Sequence, residues 1–145
     1  MADRGTVVAA RVTMRKHPSS FKLTDETLAA LNRQAETRPD AETVLYEGPV
    51  RALCPMAPNN VNTMACCALA AHTLGFDGVQ ARLVADPRLD AHIVEIDVQG
   101  AGGFSVNTTR HNPAAPGAVT GNATYNSFLS SMLACHGRGR GLHFV

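Results

Sequence analysis

The side chains best suited to proton transfer or ligand binding fall in two segments of this 145-residue sequence, Asn59-Asn60-Val61-Asn62 and Ala91-His92-Ile93-Val94-Glu95-Ile96-Asp97-Val98. In the second, the period of two expected of a strand puts His92, Val94, Ile96 and Val98 on one face and Glu95 and Asp97 on the other. An imidazole entering on the apolar side is held near neutrality, and small changes around it move its charge, which suits a general acid or base. A core-edge histidine satisfied by one hydrogen bond fits the same pattern and is the commoner case. Asn62 precedes a helix-like run, where free backbone N–H groups and the positive end of the helix dipole favour a carboxamide or anionic ligand. Plain N-capping explains Asn62 as well. Asn60 has no capping role and is either a loop-structuring residue or a second contact.

Other candidates are weaker. Arg15, Lys16 and Arg110 sit near strand ends and could anchor a carboxylate, with solvated surface charge as the plainer role of each. Lys16 joins Asn60 as a candidate substrate contact. Gly100-Ala101-Gly102-Gly103 links two strands instead of opening a helix, so it reads as a hairpin turn and not as a dinucleotide fingerprint. The four cysteines include no C-x-x-C pair, and Cys66 and His72 fall on different helix faces; buried reduced thiols are expected, and no metal.

The elements that would position these residues follow from local signals. Thr6 to Met14 is β-branched and ends in Arg15-Lys16-His17-Pro18, a strand with a basic exit. Thr24 or Asp25 caps a helix striped by Leu28 and Leu31 and ending before Arg38-Pro39. Thr43 to Tyr46 is a short strand, and Val50 to Met56 a helical turn. Thr63 to Leu74 is small and apolar all round, which predicts a buried central helix capped by Asn62 and closed by Gly75. Gly78 to Ala85, Ala91 to Val98 and Phe104 to Thr109 read as strands of an antiparallel meander. After a loop from Asn112 to Gly117, Asn122 to Cys135 carries Phe128, Leu129, Met132 and Leu133 at helical spacing. The expectation is one α+β domain over residues 1–145, with a mixed, largely antiparallel sheet packed on helices. Residues 6–135 form its ordered part, and 136–145, with Gly137-Arg138-Gly139-Arg140-Gly141, a frayed tail.

Composition narrows the class. Thirteen Lys+Arg against 12 Asp+Glu give a net charge of +1, without the basic excess of a nucleic-acid binder, so no nucleic acid is expected as a partner. No run approaches the ~20 apolar residues that cross a bilayer, and the apolar stretch near the N-terminus is too short for a signal peptide. No membrane association and a cytoplasmic location are therefore expected.

Three stretches in order, Pro58-Asn59-Asn60-Val61-Asn62-Thr63-Met64-Ala65, Val84-Ala85-Asp86-Pro87 and His92-Ile93-Val94-Glu95-Ile96-Asp97-Val98-Gln99-Gly100, resemble the C-terminal half of L-aspartate dehydrogenases, nearest the animal branch of that family. Tyr46-Glu47-Gly48-Pro49-Val50-Arg51 and Asn112-Pro113 extend the likeness from the first strand to the last helix. The resemblance implies NAD- or NADP-dependent oxidation of L-aspartate, through an imine, to oxaloacetate and ammonia. It also implies that His92 is the catalytic residue, that Asn62 contacts the nicotinamide cofactor, and that the protein is a homo-oligomer. Family members begin with a Rossmann domain whose glycine fingerprint this sequence lacks. The chain is thus expected to be the substrate domain, as a short isoform, truncated gene model or fragment, with little or no activity alone. The alternative is a noncatalytic short form that pairs with full-length subunits.

Overall fold

The computed structural model describes residues 2–115, 117–121, 123–141 and 143. Five strands form one sheet: β1 (Val7–Lys16), β2 (Thr43–Pro49), β3 (Gln80–Ala85), β4 (Ala91–Gly100) and β5 (Ser105–Pro113), in spatial order β2-β3-β1-β4-β5. β1 and β3 run parallel, and every other neighbouring pair is antiparallel. The helices are α1 (Glu26–Glu36), α2 (Val50–Met56), α3 (Asn62–Ala70), the single turn α4 (Gly75–Gly78) and α5 (Ala123–Ala134).

The core lies between one sheet face and α1 to α3. Alternation along β1 sends Ala10, Val12 and Met14 inward to meet Leu83 of β3, Val94 of β4, Leu28 of α1, Leu53 of α2 and Met64 of α3. The other sheet face is a charged surface, where Arg11 pairs with Asp97, Arg15 with Glu42 and Glu95, and Arg82 with Glu47. Arg15 is thereby removed as a carboxylate anchor: it points away from His92 and already has two partners.

Of the two N-cap candidates for α1, Asp25 takes the position, its Oδ1 accepting from Leu28 N at 3.0 Å, while Thr24 Oγ1 donates to the Pro55 and Met56 carbonyls at 2.9 Å each. Asp25→Ala therefore frees one buried-side N–H and should cost about 1 kcal/mol, read as a lower denaturant midpoint at unchanged slope; a midpoint equal to wild type would contradict the capping role.

Three expectations fail. The meander does not form, because β1 inserts between β3 and β4. The loop after β3 is tied to the end of β1 by Asp86 N donating to Lys16 O at 2.9 Å and then crosses beyond it, so a short connection that permits a hairpin serves a crossing instead. Second, α3 is not central. It stops at Ala70, about a turn short of the expected Leu74, its next four residues form turns, and Gly75, with a positive φ of 61°, opens α4 instead of closing α3. Met64, Ala68 and Ala71 form one buried stripe, while Leu69 is exposed. Small Ala and Cys side chains make a segment apolar in type, but they offer little area, so one buried stripe suffices. Third, the thiols are free but not buried: Cys54 and Cys67 are half-buried, Cys66 and Cys135 exposed.

At the C-terminal end, β5 runs on through Asn112 and Pro113, which the sequence assigns to a loop, and the Gly100 to Gly103 link is the turn between β4 and β5. α5 has the expected apolar residues, but Tyr125, Phe128, Leu129, Met132 and Leu133 are all exposed, and none of its described residues is buried. Asn122, expected to open that helix, lies outside the described residues, as do Pro116 of the preceding loop and Leu142, Phe144 and Val145 of the tail.

Candidate functional site

Strand register assembles the site. Val94 of β4 stands opposite Met14 of β1 and Arg110 of β5, and His92 opposite Asn112 of β5. Lys16 lies one residue beyond the Arg15–Ile93 pair, opposite Ala85 of β3. Cross-strand neighbours share a face, so Lys16, His92 and Asn112 form one row and Met14, Val94 and Arg110 the next. Both rows sit on the helix-bearing side, where the start of α3 and the segment leading into α5 wall off a cleft of about 430 Å³ lined by Lys16, His92, Arg110, Asn60, Asn62 and Cys66 among others.

His92 is only 6% exposed. Its Nε2 lies 2.9 Å from the Ala118 carbonyl; an oxygen of that kind only accepts, so Nε2 carries the proton and Nδ1 is the basic nitrogen. Burial, then the nearby Lys16 and Arg110 charges, push its pKa below the ordinary histidine value, against the opposing pull of the Ala118 hydrogen bond. The ring is thus a neutral base near pH 7. It also borders a smaller cavity of about 140 Å³ with His17, Asp90 and Ala115.

Lys16 is not the solvated surface charge that its place at a strand end suggests. It is 3% exposed, and Nζ donates to Asn60 Oδ1 at 3.2 Å and to the Val119 carbonyl at 2.9 Å. Desolvation pulls its pKa down to about 8. Asn60 is held in turn, its Nδ2 donating to the Lys22 carbonyl at 2.9 Å. Of its two sequence readings, the structure gives it the structural one at least: it positions Lys16. Adjacent carbonyls, Ala118 and Val119, therefore fix the two titratable side chains. Gly121 closes this segment, and a Cβ there would run into the Asn112 carboxamide.

Asn62 is not the N-cap of α3. It is the first helical residue, Val61 is the cap, and no side chain caps the helix. Its side chain is exposed, and its carboxamide makes no hydrogen bond to the protein among the described residues, which leaves it open to the cleft. The sequence brings His92, Asn62, Asn60 and Lys16 to notice, and all four line this one cleft. Arg110, which the sequence offers as a carboxylate anchor or a surface charge, and Asn112, which it places in a loop and in the Asn112-Pro113 likeness, are brought beside His92 by β4–β5 register. The Ala118 and Val119 carbonyls have no sequence signal, since every residue has one.

No Asp or Glu lines the cleft, and Arg110 and Lys16 have no carboxylate partner among the described residues. Two cations without counter-ions, beside a neutral imidazole, suit a small polyanion. Among the described residues, no group of three or more His, Cys, Asp or Glu could hold a metal ion, and no helix is long and apolar enough to cross a membrane.

The depressed His92 pKa links to stability. The unfolded chain takes up a proton at the ordinary value, about 6.5, before the folded site does. Stability from burying the neutral ring is therefore complete above that pH and is lost as pH falls below it. Denaturation across a pH series should give wild type a steeper loss on acidification than His92→Gln; identical slopes would contradict a buried neutral imidazole.

Comparisons with known proteins bear on the family and the fold. Residues 1–131 match the family model described as aspartate dehydrogenase, C-terminal. An aspartate dehydrogenase domain-containing protein of Xenopus tropicalis is 58% identical, covering 96% of this chain and 50% of its own length. An L-aspartate dehydrogenase of Pseudomonas aeruginosa is 32% identical, covering 88% of this chain and 46% of its own length. The chain spans about half the length of the curated relatives it matches. The crystal structure of aspartate dehydrogenase from Thermotoga maritima superposes with a TM-score of 0.61 at 20% identity, over 98% of this chain and 48% of the other, a likeness of fold.

Proposed function

This chain belongs to the aspartate dehydrogenase C-terminal domain family, and from that premise we propose that it is the substrate half of an NAD(P)-dependent L-aspartate dehydrogenase. The observation that carries the reading is the carboxylate-free cleft in which His92 meets two unpaired cations, Lys16 and Arg110. L-Aspartate and oxaloacetate each bring two carboxylates, and a bidentate Arg110 contact suits one of them. His92, through Nδ1, serves proton transfer to or from the substrate nitrogen or the water that hydrolyses the imine.

The cofactor, when bound, supplies a nicotinamide ring that accepts the hydride from the substrate. The residues at the cleft mouth fit the carboxamide end of such a ring. Asn62 offers an unengaged donor and acceptor, beside helix N–H groups that no side chain caps. Nothing in the sequence resembles the glycine loop that cradles a pyrophosphate, so most of the dinucleotide, and the choice between NAD and NADP, belong to a different half. The four free thiols are in keeping with a cytoplasmic location. The reading is tested by joining residues 1–145 to the dinucleotide-binding half of a close relative and following cofactor reduction with L-aspartate. Turnover on the order of 1 per second or more is expected; no reduction with either cofactor, from a folded protein, would overturn it.

A second reading, association with another copy or with full-length subunits without catalysis of its own, is favoured by the exposed apolar residues of α5 together with Phe104 and Val106 beside the sheet edge. Co-purification with a full-length relative, lost on Phe128→Glu and Leu133→Glu, is the expected result. A chain that stays monomeric in the mixture and leaves the relative's activity unchanged would end this reading.

A further inference from the structure

We propose that Lys16 is the proton acceptor for the substrate's α-ammonium group, acting as a neutral amine inside the cleft, while His92 serves the water that hydrolyses the imine. This division of labour rests on the aspartate reading above and assigns its two proton transfers to two different groups.

The geometry at Nζ supports it. A tetrahedral amine nitrogen has three positions besides its bond to Cε. Two are taken by hydrogen bonds, to Asn60 Oδ1 at 3.2 Å and to the Val119 carbonyl at 2.9 Å. A neutral amine still owns two N–H groups, so both bonds survive loss of the third proton. The remaining position makes no hydrogen bond among the described residues, and it holds either that proton or the lone pair. A lysine kept for structure alone would be expected to meet a carboxylate when buried this deeply; Lys16 instead meets carbonyl oxygens and the Phe21 ring, whose centroid is 5.8 Å away. The other titratable or charged side chains lining the cleft are His92 from β4, Arg110 from β5 and Cys66 from α3, none of which stabilises an ammonium ion. The depressed Lys16 pKa, about 8, follows from this setting and is close enough to that of an α-ammonium for ready transfer.

His92 is poorly matched to the same task. Its basicity is reduced first by burial, then by Lys16 once that group holds a proton and by Arg110, which leaves it able to take a proton from water attacking an electrophilic carbon but ill suited to remove one from an ammonium. The substrate ammonium gives a proton to Lys16 Nζ. With that proton gone the amine lone pair is free to form the C=N bond, and a nicotinamide cofactor, when bound, would supply the hydride acceptor for Cα. Water adds to that carbon and gives a proton to His92 Nδ1. That proton returns to the nitrogen, the C–N bond breaks, and ammonia departs with the hydroxyl proton as ammonium, leaving the ketone. Lys16 then releases its proton to solvent.

The chain has only two lysines, Lys16 and the exposed Lys22, so ¹³C-lysine labelling gives two titrating signals, and Lys22→Arg identifies which is which. Lys16 should titrate near 8; a Lys16 signal that titrates at the ordinary lysine value of about 10.4 would overturn the proposal. In the joined two-domain enzyme, Lys16→Arg keeps the cation and the hydrogen bonds but cannot give up a proton near neutrality. Its kcat should fall about 100-fold or more, with KM for aspartate little changed and the lysine limb of the kcat–pH profile gone, and added small primary amines should partly restore Lys16→Ala. An active wild type whose Lys16→Arg variant keeps its turnover and its pH limb would overturn the assignment of Lys16 alone. A folded wild type inert toward aspartate would overturn the reading beneath it.

Discussion

Replacing His92 with glutamine in the joined two-domain enzyme lowers kcat for L-aspartate by about 10²–10⁴-fold and leaves the domain folded. Glutamine is the informative choice because its side-chain N–H₂ can still donate to the Ala118 carbonyl, as Nε2 does now at 2.9 Å. The loop contact is kept and the basic nitrogen is removed. Burial, with Lys16 and Arg110 close by, holds the ring neutral near pH 7, so the wild-type side chain is ready to accept a proton and the glutamine never is. Steady-state kinetics together with circular dichroism check the result. A variant that unfolds, or one that folds and turns over like wild type, would return His92 to the role of a core-edge histidine.

The largest effect on stability is expected at Leu83. It lies on β3 between β2 and β1, fully buried against the helices, and alanine there removes both transferred apolar surface and the atoms its neighbours pack on. The cost is about 2–5 kcal/mol, a large part of the roughly 5–15 kcal/mol that holds a domain of this size together. Calorimetry should find a Tm lower by about 5–15 °C. A shift of about a degree would mean that the site collapses around the smaller side chain, and that the core is looser than the burial of Leu83, Leu53 and Met64 implies.

Local signals decided most of the fold, and non-local ones decided the rest. The strand from Thr6, the Asp25-capped helix, the Gly100 to Gly103 turn and the final helix were legible because each depends on alternation, capping or glycine within a few residues. The meander was not, because β1 and β3 pair across a long separation in sequence and no short-range pattern records that contact. The depth of α3 was misread for a related reason: apolar composition says which faces can be buried, not how many are. At the site, His92 and Asn62 stood out by pattern and resemblance, although Asn62 is the first helical residue and not the cap. Lys16 could not be read correctly alone, since a lysine beside a strand exit looks solvated until Asn60 and Val119 are seen to close over it. Arg110 was legible as a possible carboxylate anchor, but its place beside His92, and that of Asn112, follows only from the register that carries the His92 face across to β5.

The proposed function requires this domain to receive an aspartate-like dicarboxylate in the cleft between the β1–β4–β5 face and the segment leading into α5. Amide NMR of the ¹⁵N-labelled chain, titrated with L-aspartate or oxaloacetate to concentrations on the order of 10 mM, tests it most directly. Saturable shifts are expected, concentrated at Asn60, Asn62, His92, Arg110, Asn112 and Val119, weaker with L-asparagine, and abolished by Arg110→Met. Shifts scattered over the surface, or none at these residues, would contradict it.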